Sequence, residues 1–330
     1  MKLNQFRDVV AIAERGSLRA AARHLQLAQP ALTRSVHELE RELGAPLFER
    51  RARGMILTPM GQAFVRRANA VLTEVRRARD EVEQLHGGTS GKVVAGLAIA
   101  AHVALLPKAL TPFRARYPQI ELHLIEGLYP TLEAGLKEGA VDFYIGPRPD
   151  QPTSPELVQE KLFDNVRIIL GRKGHPLAGA RSLRDLAGAE WATTSVTFRA
   201  EEELGQLFAE HRMPPPRLAL RSQSAFTLMI ALASSDLLAM VPVQWIDFSE
   251  TSNTLAPIPV KEVLPAAPIV MVRRAGLPLT PAAEFLLDLL RRQVPASQVP
   301  ASHVPASQVP ASHALASAAK PKPNRNARRG

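Results

Sequence analysis

The chain has 330 residues, 46% hydrophobic and 22% charged, the balance of a globular protein long enough for two or three domains. It contains no cysteine, which excludes disulfides, thiolate metal sites, cysteine nucleophiles and thiol redox sensing. The formal net charge of +10 is unevenly placed: residues 1–90 carry 15 Lys and Arg against 10 Asp and Glu, residues 91–292 carry 21 of each, and residues 293–330 carry 5 against none. A phosphate-rich partner would meet the basic ends and not the neutral middle, although basic ends also serve solubility alone.

No apolar run reaches the roughly 18 residues of a membrane span. Asp8 and Glu14 interrupt what would be the apolar region of a signal peptide, so the expected location is cytoplasmic.

In the first 57 residues, Phe6, Val9, Val10 and Ala13 recur at helical spacing, and Gly16 stops that helix. Ser17 stands where an N-cap belongs, ahead of an alanine-rich second helix over residues 18–25. After a break, Pro30 opens a third helix whose inner stripe is Leu32, Val36, Leu39 and Leu43 and whose outer face shows Gln29, Thr33, Arg34, His37 and Arg41; Gly44 ends it. Three short helices with a tight turn between the last two predict a helix-turn-helix. Amide, hydroxyl and guanidinium groups on such a face can read base edges, and a solvated amphipathic helix shows the same pattern. The segment after Gly44 tips the balance toward DNA. Leu47-Phe48 and Met55-Ile56-Leu57 flank Arg50, Arg51, Arg53 and Gly54, a hairpin with a basic tip that can grip phosphates or enter a minor groove.

Thr58 and Pro59 then begin a long helix. Phe64, Ala68, Val71, Val75, Ala78, Val82 and Leu85 repeat at alternating spacings of four and three, the seam of a coiled coil over about three heptads. Pairing with a second copy explains the narrow seam, and packing on the same chain is the alternative. Residues 87–91, Gly-Gly-Thr-Ser-Gly, read as a hinge. Between residues 92 and 292, apolar strands such as 93–99, 120–125, 141–145 and 166–170 alternate with helices, which predicts parallel α/β sheets in two lobes around a cleft. Four copies of a Val-Pro-Ala-Ser-Gln/His unit fill residues 294–313 and cannot build a core, so the tail is expected to be disordered. The resulting division is 1–58, 59–87, 88–292 and 293–330.

Other functions fit less well. The sequence has no Gly-rich nucleotide loop, zinc spacing or nucleophile elbow, so neither catalysis nor a cofactor is expected. A transport-type binding protein would leave the first 86 residues unexplained, and a non-specific chromosome-binding protein would leave the two lobes idle.

Several motifs together resemble the LysR-type transcriptional regulators. They are Ala20-Ala21 after Gly16-Ser17, Gln29-Pro30-Ala31, Leu39-Glu40 with Leu43-Gly44, Pro46-Leu47-Phe48-Glu49-Arg50 and Leu57-Thr58-Pro59-Met60-Gly61. A looser likeness continues through Leu106-Pro107, Tyr117-Pro118, Gly174-His175-Pro176-Leu177 and Met240-Val241-Pro242. The resemblance implies a winged helix-turn-helix, a linker helix and a two-lobed effector domain like periplasmic binding proteins. It further implies dimers assembled into tetramers on promoter DNA, with RNA polymerase as a further partner. By it, Gln29, Pro30, Thr33, Arg34 and Arg53 touch DNA; Ala28 stands where that family usually has a hydroxyl.

The resemblance also implies a small-molecule effector, a small organic anion, held between the lobes, with a ligand-independent regulator as the alternative. The stretches expected to line the cleft supply Ala101 and His102, Thr194 and Ser195, and Ser222 and Ser224. The first of these has alanines and a histidine where the family commonly has a hydroxyl. Arg148 would supply a counter-charge, or is a surface arginine in a Pro-rich turn.

Overall fold

The computed structural model describes residues 1–51, 54–194, 199–264 and 266–294. Arg53, Ser195 and the repeat tail lie outside them.

Helical spacing brings Val9, Ile12, Leu18, Ala21, Leu32, Val36 and Leu39 into one buried cluster. It joins α1 (Leu3–Arg15), α2 (Leu18–His24) and α3 (Gln29–Leu43). The Ser17 side chain caps α2 by accepting from the Ala20 N–H at 3.2 Å. Strands β1 (Phe48–Arg51) and β2 (Gly54–Leu57) form the expected antiparallel wing, with Phe48 opposite Leu57.

Helix α4 (Pro59–Leu85) starts where Thr58 closes a turn, its Oγ1 accepting from the Gly61 N–H at 2.9 Å and donating to the Pro46 carbonyl at 2.7 Å. A Cβ on Gly61 would stand 2.0 Å from the Leu47 carbonyl oxygen. Gly61→Ala must therefore push α4 off the base of the wing, and a loss of about 1–3 kcal/mol is expected. A thermal melt with an unchanged midpoint would show that the wing yields freely.

The seam of α4 divides along its length. Phe64 packs on Phe6 with centroids 5.3 Å apart, and Ala68 is fully buried. Further on, Val71, Val82 and Leu85 are 40%, 58% and 71% exposed. Another face of the helix docks on its own chain. There the Arg77 Nη2 donates to Asp142 Oδ1 at 2.5 Å, and Gln84 Oε1 accepts the Ala282 N–H at 2.9 Å. The helix thus packs on its own chain while leaving an apolar stripe outside.

Lobe I contains β3 (Ser90–Leu97), α5 (Ile99–Ala104), α6 (Leu106–Arg116), β4 (Gln119–Glu126), α7 (Tyr129–Glu138), β5 (Phe143–Pro147) and β6 (Leu157–Phe163). Residues 164–166 cross to lobe II, which holds β7 (Arg167–Arg172), β8 (Glu190–Thr194), α8 (Arg199–Glu210), β9 (Arg217–Ser222), α9 (Ala225–Ser234), β10 (Leu237–Pro242), α10 (Ser249–Thr254) and β11 (Leu255–Ile258). The chain then returns to lobe I for β12 (Ile269–Arg274) and α11 (Pro281–Arg292).

The two five-stranded sheets have the orders β4-β3-β5-β12-β6 and β11-β7-β10-β8-β9. Strand β3 runs parallel to β4 and β5, and β8 runs parallel to β9 and β10, as expected. Each of the expected parallel sheets also holds antiparallel pairs: β12 is antiparallel to β5 and β6, and β7 is antiparallel to β10 and β11. Period-2 alternation sends Val93, Ala95 and Leu97 to a core with α6 and α11, and sends Val94 to a core with α7. Both faces of the lobe I sheet are therefore buried. Lobe I also reaches across, since Ile99 packs on the lobe II core of Leu228, Leu232 and Val241.

Candidate nucleic-acid interface and interlobe cavity

Buried Leu32, Val36 and Leu39 turn the opposite face of α3 outward, leaving Gln29, Pro30 and Arg34 exposed and Thr33 half-buried. The Thr33 hydroxyl donates to the Gln29 carbonyl at 3.0 Å, so its methyl group and oxygen lone pairs are what it can offer a partner. Ala28 caps α3 without a side-chain bond; its carbonyl accepts the Ala31 N–H at 3.0 Å, and Pro30 has no N–H to satisfy.

Two residues to which the sequence reading assigned no DNA-binding or structural role fix the pose of α3. Buried Asp8 on α1 accepts the Ser35 hydroxyl at 2.6 Å. Glu40 Oε1 accepts the backbone N–H groups of Leu47 and Phe48 at 2.8 and 3.3 Å, tying α3 to the base of the wing. Helix and hairpin therefore present one surface, with Arg50 and Arg51 exposed beside it.

Between the lobes lies a cavity of about 300 Å³. The first residues of α5, the turn before α7, the end of β5, both crossovers and the ends of β8 and β10 line it. Arg148 and Thr194 are among its walls, as the sequence reading expected of cleft residues. Ala101 is not; it is fully buried in the lobe I core, because the inward face of α5 packs there. His102 is not a wall residue either; it is half-buried, its Nδ1 has no partner among the described residues, and burial pushes its pKa down. Ser222 and Ser224 lie away from the cavity and satisfy each other: Ser222 Oγ accepts the Ser224 N–H at 3.0 Å, and Ser224 Oγ caps α9 through the Thr227 N–H.

The walls contain groups the sequence did not flag. Asn165 sits in the first crossover, Tyr129 at the start of α7, and Glu126, Glu133, Asp150, Arg167 and Glu203 contribute charge. Arg167 is ion-paired to Glu203. Glu133 is bonded to Lys137 at 2.7 Å, which holds its carboxyl below the usual range. Burial, with Glu133 beside it, pushes the Tyr129 hydroxyl up to about 12.

A winged helix-turn-helix joined through a long helix to two lobes that enclose a small cavity defines a DNA-binding regulator with an effector domain. Comparison with known proteins agrees. Residues 3–62 match the family described as "Bacterial regulatory helix-turn-helix protein, lysR family", and residues 86–295 match "LysR substrate binding domain". The SDS degradation transcriptional activation protein of a Pseudomonas strain is 32% identical, over 89% of this chain and 98% of its own. The HTH-type transcriptional regulator GalR of Pseudomonas putida is 27% identical, over 86% and 72%. Full-length CbnR in complex with its target DNA shares the fold, with a TM-score of 0.66 at 21% identity, over 89% of this chain and all of that one. The chain belongs to the LysR family of transcriptional regulators. Among the described residues, no helix is long and apolar enough to cross a membrane.

Proposed function

We propose that α3 enters a major groove of promoter DNA, where Gln29, Thr33 and Arg34 read base edges and Pro30 seats the first turn against the backbone. Arg53, which lies in sequence between the two strands of the wing, takes the phosphates or the minor groove. The observation that carries this reading is the outward face of α3: Arg34 is exposed and has no ion pair among the described residues, so its guanidinium is free to meet a guanine edge. Arg34→Ala is expected to cost about 1–3 kcal/mol of operator binding, concentrated at one base position. Equal weakening on operator and random DNA would show that it reads no base.

The protein acts as a dimer joined along the outer stripe of α4. Phe226 and Ile230, four residues apart on α9 and both exposed, offer a further apolar contact for a tetramer. The cavity holds a small organic anion that Arg148 attracts. An effector that binds one arrangement of the lobes more tightly than another shifts the assembly between DNA-bound geometries, and RNA polymerase responds to that change. On this reading the protein works in the cytoplasm as a regulator without catalytic activity.

The test is binding to the DNA just upstream of the protein's own gene against random DNA of equal length, at several salt concentrations. Tight, footprinted binding there with weak, steeply salt-dependent binding to the control is the expected result. Equal binding to both would remove sequence specificity at that site. A footprint and bend angle that no effector alters would support a ligand-independent regulator instead.

A further inference from the structure

We propose that the interlobe cavity is built for a carboxylate that also carries hydrogen-bond donors, a hydroxy or amino acid with an apolar body, and not for a bare carboxylate. The proposal rests on reading that cavity as the effector site. Its first support is Asn165. This residue is only 7% exposed, lines the cavity, and has an Oδ1 with no hydrogen-bond partner among the described residues. A buried amide oxygen left unpaired is destabilising, and a ligand donor that draws the amide toward the cavity and bonds it removes that cost. An ionised carboxylate has only acceptors and cannot do so.

The charge on the walls points the same way. Arg167 is already neutralised by Glu203, which leaves Arg148 as the guanidinium available to an anionic group. Glu126 stands on the same walls and offers further acceptor oxygens. An acidic wall repels a compact anion and favours a molecule whose far end presents hydroxyl or ammonium hydrogens. At the start of α5, Ala98, Ile99 and Ala100 bring no hydroxyl to help hold a carboxylate. Ile99, Met240 and Pro242 supply an apolar surface for the body of the ligand. The crossing segment that carries Asn165 also connects the lobes, so a ligand bonded there touches the hinge itself.

The experiment uses the full chain and matched acids, with thermal shift for screening and calorimetry for affinity. Each carbon skeleton is offered unsubstituted, hydroxylated and aminated; hexanoate, 6-hydroxyhexanoate and 6-aminohexanoate are one such set within a panel of linear and ring acids. For the skeletons that bind, the donor-bearing form should bind at least about tenfold more tightly than the unsubstituted one. The hydroxyl and amino members then tell which donor the site takes. Asn165→Leu, which removes the orphan oxygen at similar size, should bring the matched forms close together, and Arg148→Ala should weaken all of them. The wild-type comparison stands by itself if Asn165→Leu does not fold. An unsubstituted acid that binds as tightly as its hydroxyl and amino partners overturns the proposal, as does a panel with no binder. A ligand whose affinity survives filling the cavity with Ala267→Trp overturns the effector-site reading on which the proposal rests.

Discussion

Arg77→Ala is expected to destabilise the transition that unfolds lobe I by about 3–5 kcal/mol, the cost of leaving one member of a buried ion pair alone. Arg77 is 9% and Asp142 7% exposed. The guanidinium reaches across from α4 to donate to Asp142 Oδ1 at 2.5 Å and to Glu74 at 3.2 Å, while Asp142 Oδ2 accepts the Val94 N–H at 2.7 Å. Burial pushes the Asp142 carboxyl above its usual range, and Arg77 is the largest influence holding it down. Without Arg77 the folded-state pKa rises further above the unfolded one. A carboxyl raised in this way favours the folded state at low pH, and that stability is lost as pH rises through the folded value. The deficit of the variant should therefore shrink on acidification, and denaturant titrations at neutral and mildly acidic pH read it directly. A pH-independent deficit would mean that packing, not the stranded carboxylate, sets the cost. Replacing both partners by apolar residues of similar volume should recover much of the loss, because neither charge is then left buried.

The same pair explains what can be read along the chain and what cannot. Helices α1 to α3 are legible because Gly16, Ser17, Pro30 and Gly44 mark their ends and Leu32, Val36 and Leu39 keep helical period. The seam of α4 is equally plain, yet nothing in the spacing of Arg77 and Gln84 marks them as buried anchors. Their partners, Asp142 and Ala282, lie 65 and 198 residues away, and local periodicity carries no information at that range. For the same reason the mixed sheets are not legible: the strands β7 and β12 follow the two crossings between lobes, and nothing in their own residues states direction.

At the cavity, two of the named residues line it and several do not. Ser222 and Ser224 look like ligand hydroxyls because a helix cap and a binding hydroxyl have the same sequence signature; here they close a turn and cap α9. Asn165 gives no signal, since one asparagine between strands is ordinary until both lobes enclose it. Short polar residues between apolar strands at the crossover segments are the cue that would have found it.

Val82→Glu with Leu85→Glu should separate the proposed dimer and lower operator affinity by roughly 10²–10⁴, because two DNA-reading domains held in one particle bind adjacent half-sites as an intramolecular event. In the proposed dimer the two ends of the seam have different duties. Phe64 and Ala68 are consumed within the chain, so the proposed pairing surface is the stretch from Val71 to Leu85, about 20 Å of helix at 1.5 Å per residue. Two heptads are a short coiled coil, but α4 is already held straight by Arg77 and Gln84 on lobe I, and a preorganised helix loses less entropy on pairing. Glutamates at 82 and 85 would put like charges opposite each other in that seam, beside Glu81 and Glu83. Both positions are exposed in the single chain, so its own melting should change little. Sedimentation should show the smaller particle, and binding to random DNA should fall far less than binding to the operator. A variant that keeps its oligomeric mass and its operator affinity would move the pairing surface away from α4, and the exposed Phe226 and Ile230 face of α9 would then be the place to test next.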